Sequence, residues 1–187
     1  IGVRTYARIN LKFTDWLKYS ASFQYERNNN RYEQLYDKDT YYARSVVNAK
    51  SVLDSSGNIK QYIPVGNILN QRDQYMTAYN FRHQLDFDKT FAGVHNVTAI
   101  LGNEVRDTKV EMHRTLQFGY DPQLLSSTPI DAATMVNTYG MVGSNYMQAN
   151  DIYASYENVN RFVSFYGNAT YTFDSRYSVT GSLRWDR

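Results

Sequence analysis

The stretch that decides the fold closes the chain, where Arg161–Arg187 reads RFVSFYGNATYTFDSRYSVTGSLRWDR. Apolar and aromatic side chains hold its odd positions, and hydroxyl, amide and charged side chains hold most even ones. A period of two predicts β-strands, and the polar turn Asp174–Arg176 divides the stretch into two of them. Each strand has about 11 residues, against about 5–6 in soluble sheets and roughly 9–11 for a strand that crosses a bilayer. The stretch therefore predicts a transmembrane β-hairpin.

The first residues of the chain repeat this pattern. Two alternating stretches, Val3–Phe13 and Leu17–Tyr25, flank the turn Thr14–Trp16, and the cationic residues of both stretches hold even positions. A Lys or Arg facing lipid at the midplane costs about 2–4 kcal/mol, whereas the lumen of a barrel accepts charge. The alternation therefore predicts that even positions face a lumen. The lumen-facing candidates are Arg4, Arg8, Lys12, Lys18, Arg82, Tyr166 and Arg184.

A third hairpin is predicted in the middle of the chain. Tyr75–Phe87 and His95–Val105 alternate on either side of a turn at Asp88–Val94. The second of these strands is expected to continue to about Gln117, with a β-bulge that shifts its register near Arg106.

Two long stretches, Asn28–Gln74 and Phe118–Val159, separate the three hairpins. Short and long connections thus alternate along the chain, as in barrels with short periplasmic turns and long extracellular loops. The predicted fold class is all-β, an antiparallel transmembrane β-barrel segment. It has about six strands in three hairpins, with short periplasmic turns and two long extracellular loops. The first long loop is expected to hold a short helix around Asp39–Val52.

Composition narrows the functional class. The 187 residues carry a net charge of +2, without a basic run, which argues against a nucleic-acid partner. There is no cysteine, and tyrosine is abundant at 18 residues. The strand pattern runs close to both ends, Ile1 and Arg187, so we expect residues 1–187 to be part of a larger barrel domain. A signal peptide and a plug domain are expected to lie outside it.

The sequence contains no recognisable catalytic arrangement. His83 and His95 could lie opposite each other, but two imidazoles without a carboxylate ligand make a poor metal site. We expect no enzyme activity, no metal and no cofactor. Aromatic rings with a hydroxyl can stack on sugars or peptides, or they can simply pack the loops together. The loop candidates for contact with a substrate or a lid protein are Tyr41, Tyr42, Tyr62, Tyr139 and Tyr146.

Three segments of the chain resemble a known protein family. Asn160–Phe173 followed by Arg176–Arg184 resembles a barrel hairpin of the SusC/RagA-type TonB-dependent transporters of the Bacteroidetes outer membrane. His95–Val105 is similar to the family's strand before a Gly-x-Glu, with Asn103 in place of an aromatic residue, and Leu11–Leu17 is similar to its short periplasmic turns.

The resemblance implies a plugged barrel of roughly 22 strands in the bacterial outer membrane. It implies active import of glycan or peptide oligomers across the lipid bilayer. It also implies a SusD-like surface lipoprotein as a lid, and TonB acting through parts absent from this chain. Two alternatives stay open at this point. One is another outer-membrane barrel, such as an adhesin or a channel. The other is a soluble carbohydrate-binding β-sandwich that uses the same tyrosines.

Overall fold

The computed structural model describes residues 2–131, 133, 140 and 149–187 of the chain. Its strands are β1 (Gly2–Lys12), β2 (Leu17–Tyr36), β3 (Ser51–Leu53), β4 (Ile59–Gln61), β5 (Asn67–Phe91), β6 (His95–Tyr120), β7 (Tyr153–Phe173) and β8 (Tyr177–Asp186). Its helices are α1 (Tyr41–Ala49) and α2 (Ala149–Ile152). Six strands form one sheet in the order β1-β2-β5-β6-β7-β8, and β3 and β4 form a small second sheet. The predicted all-β, antiparallel class with six main strands is confirmed.

The chain divides into two compact units. The hairpin unit comprises Ile1–Asn28, Tyr75–Val110 and Asn158–Arg187, and the loop unit comprises Asn29–Gln74 and Glu111–Glu157. Among the described residues, no helix combines the length and apolar character needed to cross a membrane.

The hairpin unit contains three short turns where the sequence predicts them, although the middle one is shorter than the predicted Asp88–Val94, because β5 continues to Phe91. In the turn between β5 and β6, Ala92 and Gly93 both have positive φ, and the Val94 amide donates to the Phe91 carbonyl. In the turn between β7 and β8, Asp174 and Ser175 also have positive φ. Positive φ at both central residues is the geometry of type I′ turns, whose twist matches that of the strands they join.

The three turns lie along one edge of the hairpin unit. The Asp88 amide donates to the Trp16 carbonyl at 2.9 Å, which joins the first turn to the end of β5. The Asp174 amide donates to the Val94 carbonyl at 2.8 Å, which joins the second turn to the third. This shared edge is the side on which the sequence predicts all short connections.

The strands extend beyond their predicted ends, so the two long loops are shorter than expected. β2 continues to Tyr36, β5 begins at Asn67, β6 ends at Tyr120 and β7 begins at Tyr153. The sequence did not predict these extensions as strands, because neither of their faces is purely apolar and no alternating apolar row marks them. The expected bulge is also wrong. Glu104, Arg106, Thr108 and Val110 all line the same cleft, so the even positions of β6 keep one face past Arg106.

The loop unit has a small core of its own. Its buried members are Ala43, Val47, Ile63, Ile68, Leu116, Phe118 and Ile152. The expected helix is confirmed as α1, with Thr40 as its N-cap, because the Thr40 hydroxyl accepts a hydrogen bond from the Ala43 amide. Ala43 and Val47 are four residues apart and share one helix face, so that face packs into the core.

Candidate functional site

The even-numbered residues of the hairpin unit form one polar face. β1 pairs with β2 in a register that matches even with even, including Arg4 with Glu26 and Lys12 with Lys18. β7 pairs with β8 in the same way, so that Tyr166 is opposite Arg184. An ion pair of 2.8 Å joins the guanidinium of Arg4 to the carboxylate of Glu26.

Several charged side chains on this face form hydrogen bonds or ion pairs with nearby polar side chains. Arg184 donates through Nε to the carboxylate of Asp186 at 2.9 Å. Lys12 pairs with Asp15 at 2.5 Å, and Arg8 donates to Asn10 at 3.1 Å. Lys18 lines a cleft of about 370 Å³ in the hairpin unit. The cleft is lined by Asp15, Trp16, Lys18, Asp86, Phe87, Asp88, Thr98, Ala99, Ile100 and Asn168.

A tyrosine connects strands that are not neighbours in the sheet. Tyr166 on β7 accepts a hydrogen bond of 2.7 Å from Arg82 Nε and donates one of 3.0 Å to Gln84 on β5, although β6 lies between the two strands. The ring crosses β6 at Gly102, where a Cβ atom would overlap the phenol. The guanidinium of Arg82 also lies 5.0 Å from the centre of the Tyr166 ring. This arrangement, which we call the tyrosine bridge, consists of Arg82, Gln84, Gly102 and Tyr166.

The odd-numbered residues form the opposite face, which is mostly apolar and exposed, although it also carries an ion pair of 2.8 Å between Arg161 and Asp107. Leu183 is 78% exposed, Val179 73%, Leu101 63% and Ile9 61%. In a soluble sandwich, such a face would pack against a second sheet about 10 Å away. In the described part of the chain the only second sheet is the two-stranded β3–β4, which belongs to the loop unit.

Aromatic rings are distributed along the odd face. Near the turns, Trp16 meets Phe87 edge to face at 5.4 Å, and the Lys89 ammonium lies 4.6 Å from the Trp16 ring. Further along the strands, ring contacts continue through Tyr19–His83 to Tyr25–Tyr79. Aromatic rings and Lys side chains of this kind are common at membrane–water interfaces, where one end of the side chain is apolar and the other is hydrated.

The histidines are not brought together as a metal site would require. His83 Nε2 lies 3.2 Å from the Asn103 amide oxygen, whereas His95 Nδ1 lies 2.6 Å from the Tyr171 hydroxyl. Among the residues that the structure describes, no group of three or more metal-ligating side chains forms.

The loop tyrosines have different environments. Tyr41 is 83% exposed, whereas the ring of Tyr42 packs against Tyr36 at 4.2 Å. Partial burial raises the pKa of Tyr42, and the neighbouring Tyr36 raises it further. The Lys60 ammonium lies 4.9 Å from the ring of Tyr62. The other two candidates, Tyr139 and Tyr146, lie outside the described residues.

Sequence reasoning missed two features of the polar face. It identified Tyr166 and Arg82 as lumen-facing candidates, but it did not connect them, because they are 84 residues apart. It also overlooked Phe162, an aromatic residue at an even position, which lines the same cleft as Arg106 and Asn160. The sequence did offer a signal for both features, because Phe162 and Gly102 are not polar although they hold even positions, where most residues are polar.

Comparison with known proteins finds similarity at the level of structure. No protein-family model and no curated protein sequence matches the chain. Solved transporter structures do match, and they share the fold of this chain. A structure titled as the RagAB peptide importer in its closed-closed state matches 100% of this chain with a TM-score of 0.59 and 16% identity, over 18% of its own chain.

Two further structures give the same result. One titled as the RagAB peptide transporter matches 98% of this chain, at TM-score 0.60 and 15% identity, over 18% of its own length. The open-open state of the RagAB peptide importer matches 100%, at TM-score 0.58 and 16% identity, over 17%. The chain thus spans less than a fifth of each of these three chains, and the likeness shows a shared fold.

Proposed function

We propose that this chain is a wall segment of a SusC/RagA-type TonB-dependent transporter in the bacterial outer membrane. Its transport function is the active import of glycan or peptide oligomers. The observation that carries the proposal is the division of the hairpin unit into a polar face and an exposed face that is mostly apolar and rich in aromatic rings. A transmembrane barrel has two such faces, with an apolar outer band about 25 Å tall that faces lipid.

The lengths of two strands of the hairpin unit agree with the thickness of a membrane. β1 has 11 residues and β8 has 10. A tilted strand of roughly 9–11 residues crosses a bilayer.

The open edges of the sheet support a larger barrel. In the described part of the chain, β1 and β8 each have one strand neighbour in the sheet. Unpaired backbone groups are very costly in the hydrocarbon core, so a sheet in a membrane must close. Further strands of a full barrel would pair with both edges. The match of this chain to a small part of much longer RagAB chains supports the same proposal.

The resemblance of the sequence to the SusC/RagA family and the structural likeness to RagAB point to the same mechanism. A SusD-like surface lipoprotein would close over the extracellular loops, and TonB would act through parts of the transporter outside this chain. The even face would line the lumen or contact a plug. The residues described here would form wall and loops and would perform no covalent chemistry.

Uptake by cells that carry the intact protein tests this function. We expect labelled oligopeptides or oligosaccharides to accumulate in cells with a working TonB system and not in cells that lack TonB. Equal accumulation in both strains would indicate a passive channel. Binding to host surfaces without any accumulation would indicate an adhesin.

A further inference from the structure

A narrow cleft runs beside α1 in the loop unit. Its volume is about 200 Å³, and it is lined by Lys38, Ala43, Arg44, Val47, Asn48, Gln61, Val65 and Gly66. The two alkyl side chains from α1 are buried, whereas both cations and Val65 are exposed. The cleft therefore has an apolar floor, charged sides and an opening to solvent.

Local hydrogen bonds hold the segment before α1 in place. The Lys38 amide donates to the side-chain oxygen of Asn67 at 2.8 Å, which ties this segment to the first residue of β5. The Thr40 hydroxyl caps α1 and also donates to the Asp37 carbonyl at 2.7 Å. The backbone beneath Lys38 is therefore fixed relative to Arg44, which lies in the first turn of α1.

The opposite wall is formed by closely packed backbone. At Gly66 a Cβ atom would lie 2.7 Å from the Cα of Gly119, a contact that no side chain could make. At Gly119, whose φ is +59°, a Cβ atom would lie 2.6 Å from the Thr128 hydroxyl. Both positions therefore require glycine, and this close backbone packing fixes the position of Gly66 at the wall of the cleft.

The charges of the cleft are not neutralised within it. Among the described residues, neither Lys38 nor Arg44 forms an ion pair, and no carboxylate lines the cleft. Two acidic residues, Asp37 and Asp39, flank Lys38 in sequence, but neither lines the cleft, and the Asp37 carboxylate accepts a hydrogen bond from the Asp39 amide. The side-chain amides of Asn48 and Gln61 add neutral donors to the cleft.

We infer that this cleft binds a carboxylate group carried by the imported oligomer. The inference rests on the proposed transport function and specifies part of its substrate class. A guanidinium and an ammonium together match the two oxygens of a carboxylate, and such charge-assisted bonds are about twice as strong as neutral ones. The apolar floor accommodates the carbon atoms next to the carboxylate. Two sources carry this group, namely the free C-terminus of a peptide and an acidic sugar.

Binding of matched ligand pairs to the intact protein in outer-membrane vesicles tests the inference. One pair is a peptide with a free C-terminus and the same peptide amidated. The other is an acidic oligosaccharide and its neutral counterpart. We expect the carboxylate form of one pair to bind on the order of 10-fold more tightly at low salt. The pair that shows the preference identifies the source.

Variants locate this preference in the cleft. The double variant Lys38→Gln/Arg44→Gln should bind both members of each pair about equally, whereas Arg44→Lys should keep most of the preference. Arg72→Gln, which removes an exposed cation of the loop unit that does not line the cleft, is the matched control and should behave as wild type. Absence of any preference in wild type, or its survival in the double variant, would overturn the inference.

The outcomes also separate this inference from the proposed function. Uptake of a neutral oligomer should be the same in wild type and in the double variant, which also shows that the variant is folded. If TonB-dependent uptake continues without any carboxylate preference, only the cleft assignment fails. If wild type binds carboxylates through the cleft but accumulates nothing, the transport proposal fails.

Discussion

Arg82 on β5 donates a hydrogen bond of 2.7 Å to the hydroxyl of Tyr166 on β7, across the intervening strand β6. The contact is possible because Gly102 leaves room for the phenol ring above β6. Since the backbone ladder joins only neighbouring strands, this bridge adds a direct connection between β5 and β7, which are not neighbours in the sheet. It also fixes the guanidinium of Arg82 on the polar face.

Removal of the Tyr166 hydroxyl tests the contribution of the tyrosine bridge. Tyr166→Phe removes the hydrogen bonds to Arg82 and Gln84, so we expect the intact barrel to lose about 1–2 kcal/mol of unfolding free energy. Denaturant titration in lipid vesicles provides the measurement. Tyr6→Phe on the same face should change stability by less than about 0.5 kcal/mol. An equal effect of the two variants would contradict the role of the bridge.

A methyl group at Gly102 should weaken the same bridge, because it would overlap the Tyr166 ring. Gly102→Ala places a Cβ atom within the Tyr166 ring, and overpacking of this kind costs about 1–3 kcal/mol. In a Tyr166→Ala background the space is empty, so the added methyl should cost little. A double-mutant cycle measures this coupling. If Gly102→Ala lowers the unfolding free energy by the same amount in both backgrounds, the Tyr166 ring and Gly102 do not interact.

Charge at an exposed odd position tests the membrane face. Leu183→Arg should destabilise the barrel in vesicles by roughly 2–4 kcal/mol, because a cation would face lipid. The neighbouring even position provides the matched control, since Ser182→Arg would place the same side chain in the lumen at little cost. Similar tolerance of both substitutions would show that the odd face contacts water.

Alkaline titration tests the environment of Tyr42. Because burial favours the neutral phenol, its pKa is raised above the ordinary value of 10.0. The stability that this group contributes is fully present below pH 10 and is lost as pH rises through the raised pKa. The difference in tyrosinate absorbance between wild type and Tyr42→Phe isolates this residue. A midpoint at or below 10 would contradict the packing against Tyr36.

The sequence predicted those strands in which the polarity of every residue depends on the face of the sheet that it occupies. In β1, β7 and β8 the two faces have opposite character, so alternation alone predicted the strands and the common face of Arg4 and Arg184. The turn at Asp174–Arg176 was also predictable, whereas the turn predicted at Asp88–Val94 is shorter in the structure, because β5 continues to Phe91.

The remaining features depend on contacts between distant residues. The extensions of β2 and β6 into the loop unit have mixed faces and no period, so polar composition alone suggested loops. The cleft beside α1 combines Lys38 and Arg44 with Gly66, whose close approach to Gly119 has no local sequence signal. The tyrosine bridge likewise depends on the order of three strands in the sheet.

The central claim is that odd positions of the hairpin unit face lipid and even positions face an aqueous lumen. Single spin labels placed in turn along Leu17–Asn28 and Tyr177–Asp186 of the intact protein in vesicles measure this directly. We predict that collisions with lipid-dissolved oxygen will peak at odd positions, and that collisions with a water-soluble nickel chelate will peak at even positions. Equal accessibility of odd and even positions to both reagents would contradict the account.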